Sequence, residues 1–381
     1  MSEIYDIAVI GGGASGLMLA ANLDIGYSSG IVLEGTSSVG TKLLMSGGGR
    51  CNITHGGSIK DFVYAYGDAG PPLRSCLYKH NNLELISWLE DKGVETIEED
   101  GRVFPATMKA KDVLDALVGE VKRNKWQIET PAKVCGLVRN EEAGTWELEI
   151  EDHEKIEARS VVVASGGITY PETGSDGSVF VLLRELGVCI KEPKSALAPI
   201  YVEDYPYAEL AGISLSGVSV TTFGSDASCT CKGKSARMTG DLLFTHEAFS
   251  GPVILNISKY AESGEIIRVS YNKEFEELPK RMQRMLEDRA RGESGDVKTK
   301  LLASLLDRDD FTVSSVSERG MVSTGGVLLD EMDMKSMRSI KYDTLYVIGE
   351  ALAADGITGG YNLQMCWSTA HACADVLKKR I

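Results

Sequence analysis

The stretch from Asp6 to Glu34 restricts the fold more than any other part of the chain. An apolar run, Asp6 to Ile10, meets Gly11-Gly-Gly-Ala-Ser-Gly16; an apolar helical stretch, Leu17 to Leu23, follows, and a second apolar run, Gly30 to Leu33, ends in Glu34. Strand, glycine turn, helix and strand make a βαβ unit, the building block of a parallel sheet with helices on its faces. Gly11, Gly13 and Gly16 fit G-x-G-x-x-G, in which one glycine makes the tight turn, one lets the backbone approach a pyrophosphate and one lets helix and strand pack closely. Glu34 stands 18 positions beyond Gly16, where its carboxylate suits a ribose diol. An acid there repels a 2′-phosphate, so the tightly held dinucleotide is expected to be FAD or NAD rather than NADP. No second motif of this kind follows a strand, so any other dinucleotide binds more loosely. A purely structural glycine turn is the competing reading, and the flanking strand, helix and acid weigh against it.

Further along, the texture changes twice. Amphipathic helical patterns run from Leu83 to Leu89 and through Val113, Leu114, Leu117, Val118 and Val121. Short alternating runs between Trp126 and Ile156 predict a half-exposed meander, and Val161-Val-Val-Ala then meets Ser165-Gly-Gly as a buried strand meets a ligand loop. After a helix near Val179 to Leu186, residues 190 to 270 carry only β-type and loop signals, while Glu274 to Leu306 is charged and helical. The last sixty residues return to the first style, with Thr344-Leu-Tyr-Val-Ile as a strand and a closing helix that puts Cys366, Ala370, Cys373 and Leu377 on one face. The expected organisation is one α/β domain interrupted by an insertion, over 1–188 and 320–381, with a β-rich part at 189–272 and a small helical part at 273–319.

Glycine is abundant, at 41 of 381 residues, and several glycines cluster in loops that adjoin strands or helices. Ser46-Gly-Gly-Gly-Arg50-Cys51-Asn52 lets the chain pass against a flat ring and then presents a guanidinium, a thiol and a carboxamide. Gly349-Glu350 ends a strand and Gly359-Gly-Tyr-Asn362 opens a helix, whose N-terminus would favour negative charge on a flavin pyrimidine edge. A mobile surface loop and an ordinary glycine-rich connection are the plainer readings of these two stretches.

Taken together, these residues resemble the BaiN/RdsA-like NAD(P)/FAD-dependent oxidoreductases, a bacterial flavoprotein family that also includes an aminoacetone oxidase. The resemblance rests on Gly11 to Gly16, SGGGRCNIT at Ser46 to Thr54, GRVFP at Gly101 to Pro105, and SGGITYPETG at Ser165 to Gly174. It continues through DLLFTHEAFSGP at Asp241 to Pro252, TGGV at Thr324 to Val327, and GEALAADGITGGYNLQ at Gly349 to Gln364. It implies a Rossmann-type, glutathione-reductase-like FAD-binding domain interrupted by a β-rich domain and a small helical domain. It also implies tightly bound FAD, with NAD(P)H as transient reductant. The adenosine and pyrophosphate positions fall on Gly11, Gly13, Ala14, Ser15, Gly16, Glu34, Gly40 and Lys42, with Val134, Ser165 and Gly166. The isoalloxazine positions fall on Gly48, Gly49, Arg50, Cys51 and Asn52; Gly349, Glu350, Gly360, Tyr361 and Asn362 hold the ribityl and pyrimidine ends. The chain departs from the family at Ala353, where Asp is usual, at Ala248, where Gly is usual, and at Gly174-Ser-Asp-Gly-Ser, and its helical part is shorter.

A flavin carries the hydride chemistry, while reduction of a C=C conjugated to a carbonyl also needs a proton donor and donors on the carbonyl oxygen. Cys51 and Arg50 are the candidates, with His246 and Ser250 as second choices; a packing cysteine and a loop histidine are the plainer readings. Family members reduce a uracil ring in ribosomal RNA or a steroid enone. With 40 basic against 55 acidic side chains, a net charge of −15, a small-molecule substrate is expected over rRNA, because an RNA enzyme grips phosphates with Lys and Arg. An amine oxidase that passes electrons to oxygen and an RNA- or protein-binding flavoprotein with structural FAD are the alternatives. Lys280, Arg281, Arg284, Arg289 and Arg291, diluted by acids, read as a solvated helix face.

The eight cysteines are scattered, with one C-x-C at Cys229 and Cys231, so neither a disulfide framework nor a metal site is expected, and a reducing compartment fits. Glu3 and Asp6 precede the first apolar stretch and glycines interrupt it, unlike a secretory signal, and no run approaches a membrane span. A cytoplasmic protein without a membrane partner is the expectation, and oligomeric state is not legible.

Overall fold

The computed structural model describes residues 4–26, 28–223 and 235–380. Cys229 and Cys231 lie outside the described residues. The chain divides into two compact units, one of Met1–Lys194 with Val322–Ile381 and the other of Ser195–Met321.

In the first unit, strand β1 (Ile4–Ile10) leads through the glycine motif into helix α1 (Ala14–Asn22) and strand β2 (Gly30–Leu33), as the apolar pattern predicts. Strands β3 (Gln127–Glu129), β4 (Ile156–Val163) and β5 (Leu345–Val347) complete a parallel run ordered β5-β4-β1-β2-β3. Val161 to Val163, Ala8, Val9 and Val32 are fully buried, which is why these strands read as continuous apolar runs: a parallel sheet is covered on both faces. The meander appears as antiparallel strands Val134–Asn140 and Thr145–Ile150, the second pairing with β4.

Helix α1 packs on the long closing helix α2 (Tyr361–Leu377), whose Ala370, Cys373 and Leu377 face the core as their spacing predicts. The same sheet geometry gathers the chain's ligand loops. Each of β1, β4 and β5 ends at the same edge, so Gly11, Ser165 and Gly349 emerge side by side. In open α/β sheets that carboxyl edge is where ligands bind.

The second unit is a closed six-stranded barrel of Ile200–Val202, Phe249–Ser250, Arg237–Phe244, Ser214–Phe223, Ile266–Ser270 and Asp309–Val316. Tyr207, Phe244, Phe249, Tyr271 and Phe311 fill its core in edge-on contacts.

One expectation fails here and another is incomplete. Residues Pro252–Ile257 form a helix where the sequence carries only β and loop signals. Its β-branched residues mimic a strand, but Pro252 opens the first turn and Val253, Ile254 and Ile257 go into the barrel core. Arg289 lies on the exposed helix face as expected, but its guanidinium also turns inward to make a two-pronged ion pair with Asp309, at 2.7 and 2.8 Å, and Asp309 is 1% exposed. Tyr271 donates to the same carboxylate at 2.8 Å, and Tyr207 donates to it as well. The cluster ties the helix Lys280–Arg289 to the barrel. Burial opposes charge on Arg289, yet the hydrogen bonds to Asp309 outweigh it and hold the guanidinium charged.

Candidate functional site

At the first loop, Gly16 lies so close to β1 that a Cβ there would sit 2.0 Å from the Gly11 carbonyl oxygen. No side chain but hydrogen fits, which explains the third glycine of the motif. Gly13 is the opposite case, because a Cβ there would meet nothing within 4 Å. It caps α1, and no side chain accepts from the first turn, so the helix N-terminus opens onto free space suited to an anion. Ala14 and Ser15 begin that turn, and Gly349 is packed against Ser15, with only 2.0 Å between Ser15 Oγ and a Cβ built on Gly349.

Glu34 is buried at the end of β2. Its Oε2 accepts from the Gly12 N–H at 2.9 Å, and its Oε1 accepts from the N–H and the hydroxyl of Thr36, each at 2.8 Å. A carboxylate has about four acceptor sites, so one remains for a ribose hydroxyl. Beside it, Ala132 donates its N–H to the Glu34 carbonyl at 2.6 Å, which brings the backbone leading to Val134 next to Glu34. Gly40 donates to the Gly12 carbonyl at 2.8 Å and so sets the short helix Thr41–Met45, with Lys42, along the loop.

Lys42 reaches across to the far end of the chain. Its Nζ lies 2.7 Å from Glu350 Oε2, 3.0 Å from Thr169 Oγ1 and 3.4 Å from Ser175 Oγ. Glu350 Oε1 in turn accepts from the Ser323 N–H at 2.7 Å. Gly166 abuts the same cluster, since a Cβ there would lie 2.6 Å from Ser175 Oγ. Thr169, Ser175 and Ser323 were not singled out from sequence. The signal was present, because Thr169 falls inside SGGITYPETG and Ser323 directly precedes TGGV.

The Ser46–Gly49 segment forms a tight turn, with Gly47, Gly48 and Gly49 all at positive φ. Arg50 is exposed, and its guanidinium lies 4.8 Å from the centre of the Phe104 ring, joining this loop to GRVFP. Cys51 differs sharply from its neighbour. It is fully buried at φ 59, a left-handed conformation uncommon for a residue with a side chain. Burial pushes its thiol up to about 12, against a lowering hydrogen bond from Ser46. The thiol therefore stays protonated at neutral pH.

From Asn52 onward the loop is laced to α2. With the amide oriented to satisfy both ends, Asn52 donates to the Thr54 carbonyl at 3.0 Å and accepts from the Gly360 N–H at 3.1 Å. Trp367 donates to the Ile53 carbonyl at 3.0 Å, and the Thr54 hydroxyl donates to Gln364 Oε1 at 2.6 Å. Tyr361 is held by Tyr66, whose hydroxyl donates to its carbonyl at 2.6 Å. Asn362 turns back on its own loop, exchanging hydrogen bonds with the Gly356 N–H and carbonyl at 2.8 and 3.0 Å.

The residues present fit a dinucleotide. Ser165 Oγ is buried without a hydrogen-bond partner, although it adjoins the glycine motif at Gly11. A buried hydroxyl left unpaired is costly, and a phosphate or ribityl oxygen would satisfy it. His246 and Ser250 belong to the second unit, His246 exposed in the turn between Arg237–Phe244 and Phe249–Ser250. Ala248, the position where the resemblance leads to Gly, is buried and closes that turn through Thr245. No helix among the described residues is long and apolar enough to cross a membrane.

Residues 5–376 match the family described as the HI0933-like protein Rossmann domain. The chain is 29% identical to the ribosomal RNA dihydrouridine synthase of Haemophilus influenzae, covering 98% of each chain. It is 26% identical to the 3-dehydro-bile acid delta(4,6)-reductase of Clostridium scindens, over 98% of this chain and 99% of that one. The 3-ketosteroid delta1-dehydrogenase of Sterolibacterium denitrificans shares the fold with a TM-score of 0.56 at 13% identity, covering 99% of this chain and 100% of that one.

Proposed function

This chain belongs to the HI0933-like Rossmann family of FAD-dependent oxidoreductases, and on that premise we propose that it reduces a C=C bond conjugated to a carbonyl in a small molecule, with NAD(P)H as electron source. The chemistry shared by the two named relatives supports the bond type. A dihydrouridine differs from uridine by two hydrogens across a C=C conjugated to a ring carbonyl, and the 4,6-double bonds of a 3-oxo bile acid are conjugated in the same way.

One observation carries the cofactor side of the reading: the unpartnered, buried Ser165 Oγ at the edge where the uncapped N-terminus of α1 emerges. FAD bound there supplies hydride transfer. The chain's own residues do the rest. Glu34 takes a ribose hydroxyl, and the α1 N–H groups with Ser165 take the pyrophosphate. Lys42 and Glu350, neutralising one another, position the segment between the two glycine loops. Arg50 offers a fixed positive charge beside the ring. Cys51 keeps its proton across the physiological range but is fully buried in the hydrophobic core, so it reads as a packing residue of this loop and not as the donor to the substrate.

The net charge of −15 supports a small molecule over rRNA. Anaerobic mixing with NADH and with NADPH, followed by reoxidation with a panel of enones and with unmodified 23S rRNA, tests the proposal. Bleaching of the flavin and its recovery with an enone are expected. Flavin that neither nicotinamide bleaches, or that only rRNA reoxidises, would overturn it.

A further inference from the structure

We propose that His55 is a positioning residue for the flavin, fixing the Gly359–Gly360 turn that opens α2 and thereby the N–H groups offered to the cofactor. The inference rests on the FAD reading above and concerns how one edge of that site is held.

His55 follows directly on SGGGRCNIT and ends the short strand Thr54–His55, where it pairs with Arg102. Its Nδ1 lies 3.1 Å from the Gly359 carbonyl oxygen. A carbonyl only accepts, so Nδ1 carries the proton and donates. The same ring lies against Tyr361, with centroids 4.8 Å apart and planes tilted by 32°. The seat is built for it. Asn82 Nδ2 donates to the His55 carbonyl at 3.0 Å, and a Cβ on Gly101 would come within 2.7 Å of His55 Cε1, so the glycine of GRVFP leaves room for the imidazole.

The turn needs such a holder. Gly359 and Gly360 sit at φ 119 and 101, and consecutive glycines have little preference of their own, so their geometry is set by what grips them. Asn52 grips the Gly360 N–H, and His55 grips the preceding carbonyl. Two successive backbone groups are thus pinned by side chains of the loop that bears Arg50 and Cys51. His55 acts through the turn rather than on the reacting atoms.

Two variants separate the hydrogen bond from the ring. His55→Asn keeps an N–H donor near the position of Nδ1 and loses the ring, whereas His55→Phe keeps a ring against Tyr361 and loses the donor. FAD affinity of the apoprotein and the flavin midpoint potential are measured for both, with urea unfolding to check the fold. His55→Phe is expected to bind FAD about tenfold more weakly, with a shifted potential, as loss of one hydrogen bond of about 1.4 kcal/mol implies. His55→Asn is expected to stay within about threefold at the wild-type potential. His55→Leu, smaller than Phe, carries the same expectation if the Phe variant does not fold. Wild-type affinity and potential in the donor-less variants overturn the inference, as does an Asn variant impaired as much as they are. A wild-type apoprotein that takes up no FAD overturns the functional reading itself, and this inference with it.

Discussion

Lys42 Nζ donates to Glu350 Oε2 across 2.7 Å, joining side chains 308 positions apart. The two side chains are 26% and 14% exposed, so the pair is shielded more than a surface ion pair and less than a fully buried one. It stitches the short helix Thr41–Met45 to the segment after β5, two stretches that no local sequence signal connects. Lys42→Met and Glu350→Gln should each lower unfolding free energy by about 1–3 kcal/mol, as loss of a hydrogen bond to a charged group does. The double variant should lose less than the sum, with a coupling of about 1 kcal/mol. Urea unfolding of the four proteins closes the cycle, and simple additivity would show that the pair contributes nothing.

Ser165→Ala should act in opposite directions on the empty and the loaded protein. Its buried hydroxyl has no partner, so removing it should leave the apoprotein equally stable or up to about 1 kcal/mol more stable. FAD affinity should fall several-fold, because the hydroxyl has a partner only when the cofactor is present. Thermal unfolding of the apoprotein and a flavin titration check the two signs. An apoprotein destabilised by the substitution would sink the idea.

In the second unit, Arg289→Leu should cost about 3–5 kcal/mol, since it leaves the Asp309 carboxylate buried with only tyrosine hydroxyls as partners. Combining it with Asp309→Leu should recover much of that loss, because two apolar residues of suitable volume leave no orphaned charge. Denaturant midpoints of the single and double variants measure this. A double variant no better than Arg289→Leu would mean that the geometry of the cluster, not its charge, is what matters.

His371 makes the chain acid-sensitive. Burial, with a smaller contribution from neighbouring His80, pushes it down to about 3 from its ordinary 6.5. The two rings stack at 5.0 Å, and burial lowers His80 too, although Asp375 lies 3.1 Å from its Nε2 and favours the charged form. Between about 6.5 and about 3 the unfolded chain binds a proton that the folded chain refuses. Stability therefore falls as pH drops through that window, with His371 contributing up to about 1.4 kcal/mol per pH unit, and is level in this respect above it. His371→Phe should flatten the slope of unfolding free energy against pH between about 6 and 4.5. Parallel slopes for wild type and variant would rule this group out.

What could be read from sequence is what local chemistry dictates. The apolar runs at Ile7–Ile10 and Val161–Val163 announce buried parallel strands, since only a sheet covered on both faces removes alternation. Gly16 is required because it touches the Gly11 carbonyl, and Glu34 because β2 delivers it beside the same turn. The helix Pro252–Ile257 is not legible, because its β-branched residues are helical only through their burial against the barrel.

The amino-acid sequence by itself determined the βαβ frame, the acid at its second strand and the glycine loops that adjoin it. Each of these follows from backbone sterics or from a periodicity of two to four residues. The tertiary structure alone decided which side chains are available and in what state. It buried Cys51 while leaving Arg50 exposed, paired Arg289 with Asp309 and placed His246 in the other unit. Burial and ion pairing depend on neighbours tens to hundreds of positions away, and no spacing along the chain encodes them.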